Sequence, residues 1–586
     1  MQFRYKKTKR TDAGTVVLHW SLVICLALSV LTGLRFAVDM PDTGYLDAIA
    51  PYLPVSRLWI IHIAAGVGLM GLAVAYLFYL RNAGLLRRVA LDRARLAALK
   101  SPGAARWSAV NVLLYWLFFL CLVSQIVTGV LLHRGHGGAL CQLHLWATWA
   151  ILGYAVAHVL THLAMGGFTQ ALRILRPTQI PVAASGPAPL GGALVFLLSA
   201  LIGGLAGGGY LYADRASRDV LHVQRIDKAA AAPLGPDLWA SAWRDAPSLA
   251  IHTNQGVNLD GSGASLVEIR ALHDEDTIYF AFTWEDPTRS LKHAPLIKTE
   301  NGWRALFSES RGERRARLQN VALRSDDLRA EQANFEGALN EDKFAFMLAN
   351  VEKPFGPGAF HPGKKPLPDK PESSSGRGLH YTEDGGSVNV WLWRASGIES
   401  GRCENNRVGP ATRPSQAERH GEAPYKGGYA SKPEQAVAYE NVAQQLPRDP
   451  SAEAQPLRLP RDLAATREAM GAVDLDPDHG DQENARWAMR EDESTPYTAD
   501  MDARIPVGAI IPGMIATPPR AKPSDVFCTA RWAAGRWTLL AQRKLDTKQD
   551  DDIVLGDQTF MWVGVFDHTP ANHTRHIRPF KLEMQR

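Results

Sequence analysis

Five long segments without Asp, Glu, Lys or Arg occupy most of the first 213 residues, and the rest of the chain has none of that length. Each segment has at least 20 residues, which is long enough for an α-helix to cross a hydrocarbon core of roughly 30 Å. Inside a bilayer an apolar segment satisfies its backbone polar groups as a helix, so the pattern predicts membrane-spanning helices. The segments cover about residues 15–34, 58–80, 107–133, 142–165 and 187–213.

The remainder of the chain has a different character. Charged residues recur throughout it, which predicts a water-soluble part, and a chain of 586 residues exceeds the size of one compact domain. We therefore predict a multi-domain protein. Its parts are an all-α transmembrane four-helix bundle at 1–180, a fifth transmembrane helix at 187–213, a linker with a first strand at 214–262, and an all-β, sandwich-like domain at 263–586.

Alternating apolar and polar residues predict the strands of the second part. The sequence LVEIRALHDEDTIYFAFTWEDPT at 266–288 contains two alternating runs about a DED turn, which is typical of a β-hairpin. Repeated short strands of this kind favour a sandwich. The tracts 352–380 and 401–500 are rich in Pro, Gly and charge, and we predict long loops there. The other candidate strands are 343–348, 388–395, 503–511, 526–545, 559–567 and 574–583.

Basic residues beside the apolar segments predict the orientation in the membrane. Residues 1–14 carry five basic side chains and one acidic one, and the loop 81–106 carries seven and one. Basic loops stay cytoplasmic, so five crossings of a bacterial inner membrane place the C-terminal domain in the periplasm. The net charge of +5 then reflects topology and gives no support for nucleic-acid binding. The N-terminal apolar run lacks an A-x-A cleavage pattern, so we interpret it as a retained first helix.

Cysteines and glycines each leave an alternative open. The five cysteines form no C-x-x-C or C-x-x-C-H motif, which argues against covalent c-type haem and against a zinc ribbon. Cys403 and Cys528 share the predicted oxidising side, and the sequence does not decide whether they pair.

The GGLAGGG motif at 203–209 has small-xxx-small spacing, which permits close helix packing. A flexible glycine-rich anchor fits the same motif.

Four histidines lie within the apolar segments at two depths. In the predicted topology His19 lies near the cytoplasmic face and His62 near the periplasmic face, whereas His144 and His158 lie near opposite ends of the fourth helix. The 14 residues between the last two rise about 21 Å and end about 40° short of full turns, so both share one face. Ionisable residues in a membrane are expensive, and neutral imidazole is a common haem ligand. We predict two haems, one on His62 and His144 and one on His19 and His158.

Two alternatives to this assignment remain. His162 follows His158 by four residues on the same face and is an alternative inner ligand. The histidines as a group also fit interfacial or helix-packing residues, or members of a proton path. Four imidazoles at matched depths on three helices favour the haem interpretation.

The N-terminal motifs resemble a known family. These motifs are TVVLHWSLVICLALSVLTG at 15–33, a second-helix His62-x-x-x-Gly66, VTG at 127–129, and H-x13-H on the fourth helix. Together they resemble the di-haem cytochrome b subunits of hydrogenases and formate dehydrogenases, within the bacterial b-561 superfamily, over about residues 10–176. The resemblance implies two b haems that connect a redox partner at the outer face to a quinone site.

The second part resembles another haem protein. IRALHDEDTIYFAFTWEDPT, EDKFAFML, GRGLHYTEDGGSVNVWLWRA and VGVFDHTPANHTRHIRPFKLE resemble the haem-binding domain of the γ subunit of ethylbenzene dehydrogenase and related enzymes of the dimethyl sulfoxide reductase group. In that family a Met and a Lys hold one b haem. Here His380 falls at the Met position and His576 near the Lys position, which implies a bis-histidine haem. An ordinary loop histidine is the alternative at each position.

These observations predict a three-haem electron conduit of the inner membrane. Its partners would be membrane lipid, quinone or quinol, and a periplasmic redox protein, and the sequence leaves open a homo- or hetero-oligomer. No nucleophile–base set, Walker loop or dinucleotide fingerprint is evident, so we expect an electron-transfer subunit or component of a quinone-linked oxidoreductase and not a stand-alone catalyst. One alternative is a membrane-anchored β-sandwich that binds a carbohydrate or a protein without an outer haem. The other is a transporter with histidine proton relays.

Overall fold

The structure is a computed structural model that divides into two compact units. One comprises Met1–His133 with Ala139–Ser217, and the other Arg134–Gly138 with Arg218–Arg586. The residues that the structure describes are 5–38, 44–46, 48–54, 58–137, 139–175, 178–183, 192–228, 241–254, 256, 258–306, 339–350, 381–382, 385–420, 425–430, 436–443, 453–476, 479–517, 526–550, 552–569, 573–576 and 578–586.

Five long apolar helices dominate the first unit, as the sequence predicts. Each is long and apolar enough to cross a membrane. They lie at α1 Ala13–Val38, α2 Leu58–Asn82, α4 Ala104–His133, α5 Ala139–Ala171 and α6 Gly192–Ala216, with the short helix α3 Arg93–Ala98 between the second and third. Strands β1 Tyr5–Thr11 and β2 Thr178–Ala183 pair antiparallel beside them.

The helices of this unit pack mainly in three pairs. Helix α2 lies between α1 and α6, and α4 packs along α5. The α2–α6 contact is close because it is made by glycine: a Cβ at Gly203 would lie 2.5 Å from the carbonyl oxygen of Gly71. Gly207 faces Val67 in the same interface, whereas a Cβ at Gly204 would meet nothing within 4 Å. The Gly203/Gly207 pair therefore forms the packing face, and the flexible-anchor interpretation does not describe it.

The second unit is built on a closed barrel, so the sandwich prediction is wrong. Ten strands pair in a ring, and the ring closes because β10 pairs with β9 on one side and with β11 on the other. The ring order is β10 Val388–Arg394, β9 Lys343–Ala349, β21 Phe560–Phe566, β22 Phe580–Met584, β3 Val220–Arg225, β5 Ser265–His273, β6 Thr277–Glu285, β20 Arg536–Lys544, β19 Val526–Ala533 and β11 Arg402–Val408.

Aromatic side chains fill the barrel interior. Phe280, Trp284, Phe344, Trp391 and Trp537 are all buried in one hydrophobic cluster. Trp391 and Trp393 belong to this core, and they alternate along β10 with Val388 and Val390 on the other face of the strand. Close packing of this kind gives the barrel a filled core.

Smaller elements surround the barrel. The predicted hairpin at 266–288 is confirmed as β5 and β6. Of the predicted strand at 503–511 only Ile510–Ile511 is a strand, and most of the rest is turn and irregular chain. The predicted loop tract 401–500 contains a barrel strand. The remaining strands are β4 Ser248–Thr253, β7 Leu296–Thr299, β8 Gly302–Ala305, β12 Tyr429–Ala430, β13 Ala438–Glu440, β14 Arg458–Pro460, β15 Ala488–Arg490, β16 Ser494–Pro496, β17 Ile510–Ile511 and β18 Met514–Ala516. The remaining helices are α7 Ser241–Asp245, α8 Gln416–Arg419, α9 Leu463–Met470 and α10 Ala499–Ala503.

A disulfide bond closes one seam of the barrel. Cys403 on β11 is bonded to Cys528 on β19, which settles the pairing that the sequence left open. The ladder between these two strands contains only two residue pairs, Arg402 with Phe527 and Cys403 with Val526. The covalent bond therefore reinforces a short ladder and closes a loop of 125 residues.

Candidate functional site

Helices α2 and α5 bring the rings of His62 and His144 close together in an edge-type arrangement. Their ring centroids are 6.3 Å apart with an interplanar angle of 61°. A metal-bound imidazole nitrogen lies about 2.0–2.1 Å from the metal, so two rings on opposite sides of one iron need centroids about 6.3 Å apart. The observed separation therefore fits an iron held between the two rings.

Each of these rings is anchored at Nδ1 by a threonine of a neighbouring helix. The hydroxyl of Thr32 on α1 is 2.9 Å from His62 Nδ1, and that of Thr128 on α4 is 2.7 Å from His144 Nδ1. Each hydroxyl also donates to the carbonyl four residues before it in its own helix, which leaves a lone pair to accept from an Nδ1–H. This arrangement fixes the tautomer with Nε2 unprotonated, the form that binds a metal.

A glycine follows each of these threonines and makes room for the imidazole. A Cβ at Gly33 would lie 3.2 Å from His62 Cε1, and one at Gly129 would lie 3.5 Å from His144 Cε1. Each ring therefore contacts its own Thr-Gly sequence, Thr32-Gly33 for His62 and Thr128-Gly129 for His144. Neither threonine was predicted as a functional residue, although the similar sequences VLTG at 30–33 and IVTG at 126–129 were the available signal.

A second group of histidines lies further along α1 and α5. His158 is close enough to interact electrostatically with both His162 and His19, and His19 interacts likewise with His162. The His158 and His162 rings are 4.6 Å apart. His158 Nδ1 is 3.0 Å from Asn111 Oδ1 on α4, so this ring is anchored in the same way as the first two. His162 Nδ1 is buried and has no hydrogen-bond partner among the described residues.

Aromatic rings enclose His158, and α5 changes direction after His162. Tyr154 stacks on the His158 ring at 5.4 Å and 22°, and Tyr115 approaches it at 5.5 Å. The helix loses its regular geometry at Gly166–Gly167, where Gly167 has φ +66°. His162 therefore lies in the last regular turn, whereas His158 lies in the continuous part of the helix.

The predicted ligands of an outer haem are arranged differently. His380 lies outside the described residues. His576 accepts the Val563 N–H at Nε2, 2.9 Å away, and donates from Nδ1 to the Arg578 carbonyl, 2.7 Å away. Both ring nitrogens are therefore occupied, and burial lowers the pKa of His576 to about 4. In this arrangement His576 does not fit an iron ligand.

The neighbouring histidines of the barrel unit also form hydrogen bonds. His573 Nδ1 donates to the Thr574 carbonyl at 2.7 Å, and burial lowers its pKa to about 4. His568 Nδ1 lies 2.5 Å from a carboxylate oxygen of Asp567. Neither forms a facing imidazole pair with another histidine like that of His62 and His144 in the described part of the barrel.

Comparison with known proteins divides the chain at the same place. Residues 240–578 match the family described as ethylbenzene dehydrogenase, and residues 10–176 match the family described as prokaryotic cytochrome b561. Among solved structures the chain is similar to a "putative carbohydrate-binding protein" from Bacteroides uniformis ATCC 8492, with 8% identity and a TM-score of 0.24, over 63% of this chain and 100% of that one. That likeness is too weak to carry an argument. No curated protein matches.

Proposed function

Because the chain belongs to the ethylbenzene dehydrogenase family and carries an N-terminal prokaryotic cytochrome b561 domain, we propose that it passes electrons between the quinone pool and a periplasmic redox partner. The b561 domain makes it a haem-b electron carrier in a family that typically binds two b haems. It is a multi-pass membrane protein with five candidate spans. Iron held by two imidazoles exchanges single electrons and keeps no open position for a substrate.

The facing imidazoles of His62 and His144 carry this proposal. Their separation matches two rings on one iron, and both rings have Nδ1 held by a threonine so that Nε2 remains for the metal. Structural histidines of a helix interface have no need of matched anchors on two different helices. A proton path would need ring nitrogens that exchange protons, and the threonine contacts fix the tautomer instead.

We assign the second haem to His19 and His158. Asn111 anchors His158 as the threonines anchor the other pair, and Tyr154 holds the ring orientation by stacking. His162 has no such anchor and lies beside the break in α5, so it is the weaker candidate. The basic residues of 1–14 and 81–106 support a cytoplasmic location for this end of the bundle, where the resemblance implies the quinone site.

The proposal includes no outer haem. The hydrogen bonds that His576 makes with Val563 and Arg578 occupy both of its nitrogens. Ligation of iron by this ring would require it to release the Val563 N–H inside the barrel, which leaves a buried donor unsatisfied. The barrel unit would then contribute the surface that meets the periplasmic partner.

Counting haems in variants of the purified full-length protein tests the proposal. We expect two b haems per chain by pyridine haemochrome, and the loss of one in His62→Ala and in His144→Ala. The double variant should lose no more than either single variant, because both rings would bind the same iron. The same logic applies to His19→Ala and His158→Ala, with His162→Ala as the control that keeps both haems.

Three outcomes would contradict parts of this assignment. Full haem content in the His62→Ala variant would show that His62 and His144 do not hold a haem. Loss of a haem in His162→Ala but not in His158→Ala would make His162 the partner of His19. A count of three haems that falls to two in His576→Gln would show that His576 binds a third haem. Quinol reduction of the visible spectrum then tests the link to the quinone pool.

A further inference from the structure

One rim of the barrel carries three buried carboxylates and a histidine. Asp286 follows β6, Asp342 precedes β9, and Asp567 with His568 follows β21. Strands β9 and β21 are antiparallel with their paired ends in register, so Asp342 and Asp567 meet at the same edge. Each of the three aspartates is at most 2% exposed.

The donor atoms of this cluster lie at distances close to those of a metal site. One donor atom each from Asp342, Asp567 and His568 lie within 4.8 Å of one another. Atoms that bind one ion at about 2.1 Å are at most about 4.2 Å apart. A small inward movement of these side chains would therefore bring the three donors onto one ion.

Asp286 adds a third buried carboxylate beside these donors. Its Oδ1 accepts the Thr288 N–H at 3.2 Å. The indole N–H of Trp284 and Asp286 Oδ2 are both buried without a hydrogen-bond partner at bonding distance among the described residues, and they interact with each other. Asp286 also interacts electrostatically with Asp342 and Asp567, so a cation bound by the three donors would reduce the repulsion among the carboxylates.

Backbone and indole donors hold the central carboxylate in place. Asp342 Oδ2 accepts the Ser290 N–H at 2.7 Å and the Trp537 Nε1–H at 3.2 Å, and its Oδ1 accepts the His568 N–H at 3.0 Å. Each carboxylate oxygen has two lone pairs, so these bonds leave capacity for a metal. Contacts of this kind orient metal ligands and are part of a prearranged site.

Two protein cations lie in the neighbourhood, but they have other contacts. Both Arg289 and Lys343 interact electrostatically with Asp342. The guanidinium of Arg289 donates to the carbonyls of Gln482 and Ala485, and the ammonium of Lys343 lies 5.2 Å from the centre of the Phe566 ring. They reduce the repulsion among the carboxylates without forming a hydrogen bond to Asp286 Oδ2.

We propose that Asp342, Asp567 and His568 bind a divalent transition-metal ion. Mixed carboxylate and imidazole donors suit Mn²⁺, Fe²⁺ or Zn²⁺, whereas Ca²⁺ and Mg²⁺ take predominantly oxygen ligands. The ion ties the end of β21 to the start of β9. The site is independent of the membrane histidines and of the proposed electron transfer.

Mn²⁺ binding to the purified full-length protein tests the proposal. After treatment with a chelator and dialysis against Mn²⁺, we expect one bound Mn²⁺ per chain by elemental analysis, a quantity that haem iron does not affect. Asp567→Asn removes one ligand at nearly constant shape and should weaken Mn²⁺ binding at least about 10-fold. Added Mn²⁺ should raise the thermal unfolding temperature of the wild-type protein and not that of the variant.

Asp274→Asn is the matched control. Asp274 is equally buried, at 2% exposed, but it lies in the β5–β6 turn and accepts hydrogen bonds from Thr277 and Tyr279. This variant should bind Mn²⁺ like the wild type. Absence of stoichiometric Mn²⁺ in the wild-type protein would overturn the proposal, and so would equal loss of binding in both variants. His568→Gln provides a second ligand variant with the same expected loss.

Discussion

The histidines of the two units differ in how their nitrogens are used. In the membrane unit His62, His144 and His158 each have Nδ1 held by a side chain of another helix. In the barrel His576 uses both nitrogens for backbone hydrogen bonds. An imidazole that is anchored at one nitrogen keeps the other for a metal, whereas one that is bonded at both nitrogens is a structural cross-link. His576 therefore differs from the three membrane histidines in the nitrogen that it has available.

The two units also differ in what holds them together. Membrane helices gain little from burial of apolar surface against each other, so close backbone approach at Gly71 and Gly203 and side-chain hydrogen bonds join them. The barrel has a closed ring of strand pairs, an aromatic core and a disulfide bond. Changes at these features should therefore affect one unit and spare the other.

The largest effect is expected from the disulfide bond. Removing it with Cys403→Ser and Cys528→Ser should lower the free energy of unfolding of the barrel by about 2–5 kcal/mol, because the bond closes a long loop. Thermal unfolding followed by tryptophan fluorescence measures this loss. The haem spectrum of the membrane unit should stay unchanged, and loss of haem in this variant would contradict the separation of the two units.

The next effect is expected at the threonine anchors. Thr128→Val keeps the shape of the side chain but removes the hydroxyl that holds His144, which should weaken haem retention by about 10- to 100-fold. Haem transfer to an apo-protein acceptor measures retention. Thr161→Val is the control, because the Thr161 hydroxyl donates to the carbonyl of Ala157 in its own helix. Equal haem loss in both variants would indicate a general packing defect.

A smaller effect is expected at the α2–α6 interface. Gly203→Leu would overlap the Gly71 carbonyl and should destabilise the helix pair by about 1–3 kcal/mol. Gly204→Leu places the same side chain on the open face of the same helix and should cost little. Resistance to unfolding in mixed detergent compares the two variants. A similar loss at Gly204 would mean that this face is also packed.

The smallest effect is a pH dependence of the barrel. Burial lowers the pKa of His576 from 6.5 to about 4. Protonation at Nε2 would place a second N–H donor against the Val563 N–H and break that hydrogen bond. Stability that is present above pH 6.5 should therefore be lost as the pH falls toward about 4. The unfolding temperature at pH 7 and pH 5 should differ less in His576→Gln than in wild type. The exposed His222 serves as the control: His222→Gln should keep the wild-type difference.

The helices of the membrane unit were predictable because the length of an uncharged segment identifies each of them. Uncharged length identifies the helices, and the observed bounds agree with the predicted segments within a few residues, for example Leu58–Asn82 against 58–80. Helical periodicity then places His144 and His158 on one face. The threonine anchors were not predicted, because a threonine in a helix can bond to the carbonyl four residues before it. The sequence therefore does not show that the hydroxyl also holds a histidine.

The barrel was predictable only at the level of its strands. The hairpin of β5 and β6 and the strands β9, β10 and β21 follow from alternation. Ring closure depends on β11, which lies within the tract at 401–500 where Pro, Gly and charge predicted loops. Pairing between strands that are distant in the chain leaves no local sequence pattern. The same strands therefore have the same sequence signature whether they form a closed barrel or an open sandwich.

By itself the sequence determined the five apolar helices and the β character of the second part, since hydrophobic length and periodicity act along the chain. The tertiary structure decided the closure of the barrel, the Cys403–Cys528 bond, and which histidines keep a nitrogen for a metal. It also assembled Asp286, Asp342 and Asp567 at one rim. The physical reason is that hydrogen-bond partners and strand pairing are set by distances in space between residues far apart in the chain.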